Sequence, residues 1–441
     1  MWLQCCRRVA PPLLLTTALL LLLHKLGPPP HSLLARGPPT KLDSSASSGR
    51  VLRFDSFVPD PSPSSSPPTT VGGGEEGEGV AGAGAQQCRE DPAVAQSTPE
   101  FQALPWAYRQ HLLYRHCRYF SLRIDQAGAC SGPHGAPYLL LAIKSRVQDF
   151  GHRELVRQTW GALGGTGDGS VWGAGGDLRV RRVFLLGTLP DSGNATFWDE
   201  FLRHESRTYG DLLQWGFHDT FLNLTLKETS FLRWFHERCP RASFVLQCDA
   251  DMLVSVPNAL EFLRGPDLDP DDHLFAGDLI VDARPIRDPR SKYFIPDSVY
   301  GADRYPPYAG GGAFLMSRRT ALALRHASDA VPSFPIDDVF LGMCLLQLGV
   351  SPRAHAGFRT LGLDRPSGRK AEAGGGGLWA GGGAGVAKVA RCLLRDLVAV
   401  HGLTPAQVWL AHRLAAMTGG CRRRPSSVVR VVRPGRWWRK D

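Results

Sequence analysis

The sequence predicts an α/β domain with a largely parallel sheet. Three observations carry that prediction. Continuous apolar runs of the kind buried on both faces recur at Tyr138–Ile143 (YLLLAI) and Arg182–Gly187 (RVFLLG). Segments with helical periodicity, Thr196–Tyr209 and Thr220–Glu237, alternate with those runs. A third run, Phe244–Gln247, ends in the acidic pair Asp249 and Asp251, and sheets of this class place their ligands beyond the carboxyl ends of their strands.

The elements follow in chain order from an N-terminal targeting segment. Arg7-Arg8 precede an uncharged leucine-rich run, Val9–Leu23, with His24-Lys25 after it. Extended over residues 9–26, the run suffices to span a thin bilayer, and no small-x-small cleavage pattern follows it. The favoured reading is an uncleaved signal anchor with residues 1–8 cytosolic; a cleaved signal peptide is the alternative. Cys5 and Cys6 beside the run are candidate palmitoylation sites. Both readings place the rest of the chain in an oxidising lumen. Residues 27–100 read as a stem, because the Pro-, Ser- and Gly-dominated stretch cannot bury enough apolar surface to offset its ordering entropy. Tail, anchor, stem and luminal head together are the topology expected of a single-pass type II Golgi membrane enzyme, a topology that ectodomain receptors can share.

The globular domain is expected over residues 101–420. An aromatic helical segment runs from Pro105-Trp106 towards Tyr119, and His152–Trp160 is expected to be helical with Arg153 and Arg157 at i,i+4 on one face. A glycine-rich loop interrupts the domain over residues 371–387. Residues 421–441 form a basic tail. The formal charge is +10, but the tail after Cys421 carries eight Arg and Lys against one Asp, leaving about +3 elsewhere. That distribution argues against a nucleic-acid-binding surface. The cysteines beyond residue 27 lack paired C-x-x-C spacing, so disulfides are expected rather than zinc sites. Asn194 and Asn223 head glycosylation sequons.

Candidate chemistry concentrates in three places. In FVLQCDADMLVSV, Asp249 and Asp251 point to one face of an extended chain. Two such carboxylates call for a cation, and Mn²⁺ or Mg²⁺ carrying a diphosphate fits hard oxygen ligands. An EF-hand is excluded because Leu253 and Val254 stand where an oxygen ligand and a glycine are required. In YPPYAGGGAFLMS, Gly311 and Gly312 allow close backbone approach to a ligand and permit positive φ, whereas a plain tight turn is the alternative. No Gly-Lys-Ser/Thr follows, which excludes a Walker loop. In FPIDDVFLGMCL, Asp337 and Asp338 stand at a helix start, one placed to cap and the other to act as a general base. His401, after the apolar Leu397–Val400, is a further candidate metal ligand.

RQTW at Arg157–Trp160, FLNLTLKE, DAD, KYFIP, YPPYAGGGAF and PIDDVFLGMC occur in one order over 188 residues. In that combination the chain resembles the β-1,3-glycosyltransferase family, nearest its β-1,3-N-acetylglucosaminyltransferase branch. The resemblance implies a GT-A fold and inverting transfer from UDP-GlcNAc to the 3-hydroxyl of a terminal galactose on lactosamine or keratan-sulfate-type chains. It implies Asp249 and Asp251 as the metal motif, with His401 as the associated histidine, and Asp338 as the base. Lys144, Arg153 and Arg157 are expected uridine or diphosphate contacts, with a purely structural role as the alternative. Two departures stand out: Gln247-Cys248 replaces the family's usual pair before the acidic motif, and the glycine tract is an insertion. A β-1,3-galactosyltransferase and a catalytically weak glycan-binding relative are the rival readings.

Overall fold

The computed structural model describes residues 88–131, 135–162, 179–189, 195–360, 362, 394, 396–415 and 430–431. The anchor run, most of the stem, Asn194, the glycine tract, Cys392 and Cys421 lie outside the described residues. Among the described residues, no helix is long and apolar enough to cross a membrane.

The fold begins earlier than the expected boundary at residue 101. Helix α1 (Pro92–Ser97) starts on Asp91, whose carboxylate accepts from the Ala93 N–H. Its Val94 packs with Phe101 and with Leu112 of α2 (Trp106–Tyr114). A Cys88–Cys117 disulfide fastens this N-terminal layer. The stem reading therefore fails for residues 88–100, where a short helix, a disulfide and the packing of Val94 on Phe101 and Leu112 supply the burial that Pro/Ser/Gly text cannot.

Strand β1 (Leu122–Ile124) lies at one edge of a nine-stranded sheet, next to β4 (Leu212–His218). The sheet continues through β3 (Val180–Thr188), β2 (Leu139–Lys144) and β5 (Phe244–Asp249), which pair in parallel as predicted. Beyond β5 the sheet turns mixed. Strand β8 (Tyr308–Ser317) runs antiparallel to β5, and β7 (Phe275–Ile280) antiparallel to β8. The short strands β9 (Arg353–Ala354) and β12 (Arg430–Val431) complete that side. The largely parallel sheet expected from the sequence is thus corrected to a mixed one. Glycine-rich β8 gave no parallel-strand signal, and its partner is set by the returning chain.

Helices cover both faces. On one side Leu139, Leu141, Ile143, Phe244 and Leu246 pack against α3 (Phe150–Gln158), α4 (Ala195–Tyr209) and α6 (Val256–Leu263). On the other, Leu140, Ala142 and Val245 meet α5 (Leu224–Arg238), α7 (Arg318–Ala330) and α8 (Asp337–Gln347). All six residues of β2 are buried, which explains the uninterrupted apolar text. A Cys130–Cys239 disulfide joins the start of this layer to the end of α5.

The chain steps from β2 to β3 to β4 in one direction, then returns to place β5 on the other flank of β2. This reversal is a topological switch point, and its crevice opens at the carboxyl ends of β2 and β5. Register puts Lys144 directly opposite Asp249 there. A small second sheet of β6 (Leu253–Val254), β11 (Ala399–Val400) and β10 (Phe358–Arg359) sits beside it.

The pair Arg153 and Arg157 is corrected by the fold. Arg153 is fully buried, with Nε and Nη2 each 2.7 Å from the Glu205 carboxylate and Nη1 2.6 Å from the Arg146 carbonyl. Arg157 donates to Glu205 at 2.7 Å and to both oxygens of Asp211 at 2.8 and 3.0 Å. Arg182 adds a 2.9 Å bond to Asp211. These guanidiniums pin α3 to α4 and to the start of β4, which leaves none of the Arg153 hydrogen-bonding edge for a nucleotide. Replacing Arg153 by Met strands Glu205 without its bidentate partner and is expected to cost about 3–5 kcal/mol. Urea unfolding checks this; a raised donor KM at unchanged stability would return Arg153 to the nucleotide site.

Candidate active site

Four carboxyl groups and one lysine occupy the crevice at the switch point. Lys144 is buried, and its Nζ lies 2.8 Å from Asp337 Oδ2, 3.2 Å from Asp249 Oδ1 and 3.5 Å from Glu228 Oε1. It also donates to the Gly311 carbonyl at 3.0 Å. Burial opposes the lysine's charge, but Asp249, Asp337 and Glu228 outweigh it and hold Lys144 protonated well above its usual range. Lys144 was expected to touch the donor. With 5% of its surface exposed and its ammonium surrounded by carboxylates, it instead acts as the internal counter-ion of the site.

Asp338 occupies the other side of Gly311. The Gly311 N–H donates to Asp338 Oδ2 at 3.0 Å, and the Val339 N–H donates to Oδ1 at 2.8 Å. Burial, then repulsion from Asp337, pushes the Asp338 carboxyl up to about 7, against these two N–H bonds and Lys144. The expected division of labour between the two acids takes a different form. Asp337 provides no helix cap but pairs with Lys144, while Asp338 is the acid that accepts from its own first turn.

Gly311 and Gly312 are extended residues of β8 and neither has positive φ. A Cβ at Gly311 would stand 3.3 Å from Asp338 Cβ, and one at Gly312 would stand 3.2 Å from the Met252 sulfur. Their bareness admits the protein's own side chains, Asp338 at Gly311 and Met252 at Gly312.

The candidate metal residues meet through the small sheet. Asp251 precedes β6 and His401 follows β11, and pairing of these strands brings His401 Nε2 to 3.4 Å from Asp251 Oδ2. The imidazole lowers the Asp251 carboxyl, and the carboxylate in turn raises His401. Asp249 goes the other way, raised by burial against the pull of Lys144, with Asp337 and Asp251 adding to the rise. The side chains of Asp249, Asp251 and His401 are 40%, 53% and 44% exposed, open enough to take a ligand. Two hard carboxylates with one imidazole, one of them short of compensating charge, are a donor set that suits Mn²⁺ or Mg²⁺. Among the described residues, only Cys88, His116 and Cys117 gather ligand atoms within 4.8 Å of one another. Those two cysteines are joined to each other.

Glu228 escaped sequence reasoning as a site residue. It lies in the Lys227-Glu228 pair of α5, is fully buried, and takes the Gln247 amide on its second oxygen. Burial pushes it up to about 8 despite Lys144. A charged pair inside an otherwise amphipathic helix was the available signal. Lys227 supports the same end of β2, donating to the Ser145 carbonyl at 2.7 Å and pairing with Asp219 at 2.9 Å. Gln247 and Cys248 are both fully buried, and Cys248 is a free thiol packed in the core. The departure from the family pattern therefore lies in packing rather than in the open crevice. Asn223 is half-buried, and its amide donates to the His218 carbonyl at 2.9 Å.

An α/β sheet whose switch-point crevice holds a base-like carboxyl beside an open carboxylate–imidazole set defines a group-transfer enzyme. A family model described as galactosyltransferase matches residues 151–356. The chain is 43% identical over 312 residues to UDP-GlcNAc:betaGal beta-1,3-N-acetylglucosaminyltransferase 7 of Rattus norvegicus, covering 70% of this chain and 71% of that protein. It is 44% identical over 350 residues to UDP-GlcNAc:betaGal beta-1,3-N-acetylglucosaminyltransferase 9 of Bos taurus, covering 76% and 81%. Identity to N-acetyllactosaminide beta-1,3-N-acetylglucosaminyltransferase 4 of Homo sapiens is 43% over 317 residues, covering 72% and 74%. A solved galactosyltransferase, LgtC with donor and acceptor sugar analogues, is 12% identical with a TM-score of 0.30 over 65% of this chain and 97% of that one, too slight a likeness to argue from. The protein is a glycosyltransferase. It belongs to the galactosyltransferase family, together with these β-1,3-N-acetylglucosaminyltransferases.

Proposed function

We propose that the protein is an inverting β-1,3-N-acetylglucosaminyltransferase of GT-A type. It moves GlcNAc from UDP-GlcNAc to the 3-hydroxyl of a terminal galactose on poly-N-acetyllactosamine or keratan-sulfate-type glycans. The observation that carries this reading is Asp338, a carboxyl raised to about 7 and aimed by the Gly311 N–H into the crevice that Asp249 borders. A base poised near neutrality is what deprotonation of a sugar hydroxyl requires. The acceptor O3 attacks the anomeric carbon from the face opposite UDP; its proton passes to Asp338, and the C–O bond to UDP breaks with the electron pair leaving on the diphosphate. Asp249, Asp251 and His401 would hold Mn²⁺ or Mg²⁺, which supplies positive charge to the departing diphosphate. Lys144 adds a fixed buried charge behind Asp249 and pairs with Asp337 at 2.8 Å without competing for protons at neutral pH.

Purified luminal protein with a divalent cation and a panel of UDP-sugars tests the reading. UDP release is expected from UDP-GlcNAc with a β-galactoside acceptor and is lost on chelation. Preference for UDP-Gal would establish the galactosyltransferase rival, and binding without turnover the weak relative. Because Asp338 must be ionised to accept a proton, kcat/KM should rise with pH through about 7. A profile flat from pH 5.5 to 8 would remove Asp338 from the proton transfer. The leader run, Val9–Leu23, and the two disulfides support residence in the Golgi membrane as a single-pass type II protein.

A further inference from the structure

The Cys88–Cys117 disulfide has a neighbour that Cys130–Cys239 lacks. His116 is exposed, and its Nε2 lies 3.5 Å from Cys88 Sγ and 3.8 Å from Cys117 Sγ, so one ring nitrogen reaches both sulfurs. Cys88 is partly exposed, whereas Cys117 is only 3% exposed. Solvent therefore meets this bond at its Cys88 end. Cys130 and Cys239 are 5% and 1% exposed, and neither sulfur has a side-chain partner beyond the other among the described residues.

The bond holds a small unit. Beyond the disulfide, α1 is fixed by the cluster of Val94, Phe101 and Leu112 and by the Asp91 N–H, which donates to the Leu113 carbonyl at 2.9 Å. The two larger clusters lie on the faces of the central sheet. A segment with few buried apolar contacts opens at lower cost than the core, so the α1 layer can yield while the sheet stays folded. Helix α2 is held independently, because its Tyr108 belongs to a sheet-facing cluster and meets Phe294 edge-on at 5.7 Å. An exposed disulfide on a lightly held segment is the kind that exchanges with solution thiols, and a buried one resists.

We infer that Cys88–Cys117 is a thiol-exchange site, at which a low-molecular-weight thiol adds to Cys88 and His116 carries the proton. The thiolate is the nucleophile in such exchange, so a base within reach of the exposed sulfur matters. The neutral imidazole takes the proton of the incoming thiol on Nε2. The resulting thiolate forms a new S–S bond to Cys88 as the Cys88–Cys117 bond breaks. The electron pair of that bond leaves on the Cys117 sulfur, which receives the proton from Nε2. A mixed disulfide on Cys88 and a free thiol at Cys117 result. A second thiol then attacks the added sulfur and releases Cys88 as a thiol. Two solution thiols are thereby oxidised to their disulfide as the protein's bond is reduced. The inference does not depend on sugar transfer.

Full-length protein in detergent, incubated with reduced glutathione and then alkylated, tests it by peptide mass spectrometry. Glutathione should be found on Cys88, and Cys88–Cys117 should open while Cys130–Cys239 stays closed. The Thr98 amide, which closes α1 on the Val94 carbonyl at 3.0 Å, should lose hydrogen-exchange protection as the amides of β2 keep theirs. His116→Gln should slow opening about tenfold or more, and imidazole added to the buffer should restore part of that loss. Such rescue separates proton transfer from a disturbed segment. An unchanged opening rate in His116→Gln overturns the role of the imidazole and with it the site. The parent protein decides without any variant as well: glutathione on Cys117, or both disulfides opening together, overturns the inference.

Discussion

Asp338→Asn is expected to abolish sugar transfer and, at pH 8, to leave the protein more stable than the unsubstituted chain. Loss of a general base lowers rates by about 10²–10⁴-fold, and Asn cannot take the O3 proton. The stability gain follows from the raised carboxyl. Its value is about 7 in the fold against 3.8 as a free carboxyl, so the folded protein resists ionising it. Stability from the neutral form is present at low pH, falls as pH climbs from about 4, and is gone above about 7. A neutral carboxamide is free of that pH-dependent loss. The shift corresponds to several kcal/mol at about 1.4 per pH unit. Coupling to Asp337 and the loss of one carboxylate acceptor reduce the net gain to on the order of 1–2 kcal/mol. Thermal melts at pH 5 and pH 8 should show a gap between variant and parent that is clearly wider at the higher pH. Retained transfer, or an equal stability difference at both values, would sink the assignment of the base.

The same residue shows what could be read from the sequence and what could not. Asp338 stood out because two adjacent acids opened an apolar helix, and Asp249 and Asp251 because they interrupted an apolar run. Both signals are local. The parallel half of the sheet was equally legible, since strands buried on both faces carry uninterrupted apolar text. The partnerships that turn acids into a site are long-range. Lys144 meets Asp337 across 193 residues of chain, and Glu228 reaches Lys144 only because β5 returns to the flank of β2. No spacing rule encodes either contact. Arg153 and Arg157 misled for the converse reason: their i,i+4 spacing was right, but their shared face points to Glu205 and Asp211, which the sequence places some 50 residues away. The antiparallel β8 was hidden by its glycines, whose purpose becomes visible only when Asp338 and Met252 are seen pressed against them.

Lys144→Met should be the most damaging single substitution in the crevice. Methionine keeps the length and the apolar stem but removes the one cation that Asp337, Asp249 and Glu228 share. Removing one partner of a buried ion pair costs about 3–5 kcal/mol, because the charges left behind lose their compensation without regaining water. Glu228 is the most buried of the three, already pushed up to about 8, and it takes up a proton before the more exposed Asp249 does. Glu228→Gln alone removes a charge that the fold disfavours and preserves the shape that meets Gln247, so its own effect should be small. In the double variant one of the three unmatched carboxylates is gone, and part of the Lys144→Met loss should return. A double-mutant cycle by urea unfolding above pH 8, where the Glu228 carboxyl of the parent is ionised, reads this directly as a coupling energy on the order of 1–3 kcal/mol. Strict additivity would mean that Lys144 and Glu228 do not sense each other, and the charge balance assigned to the crevice would then have to be carried by Asp337 and Asp249 alone.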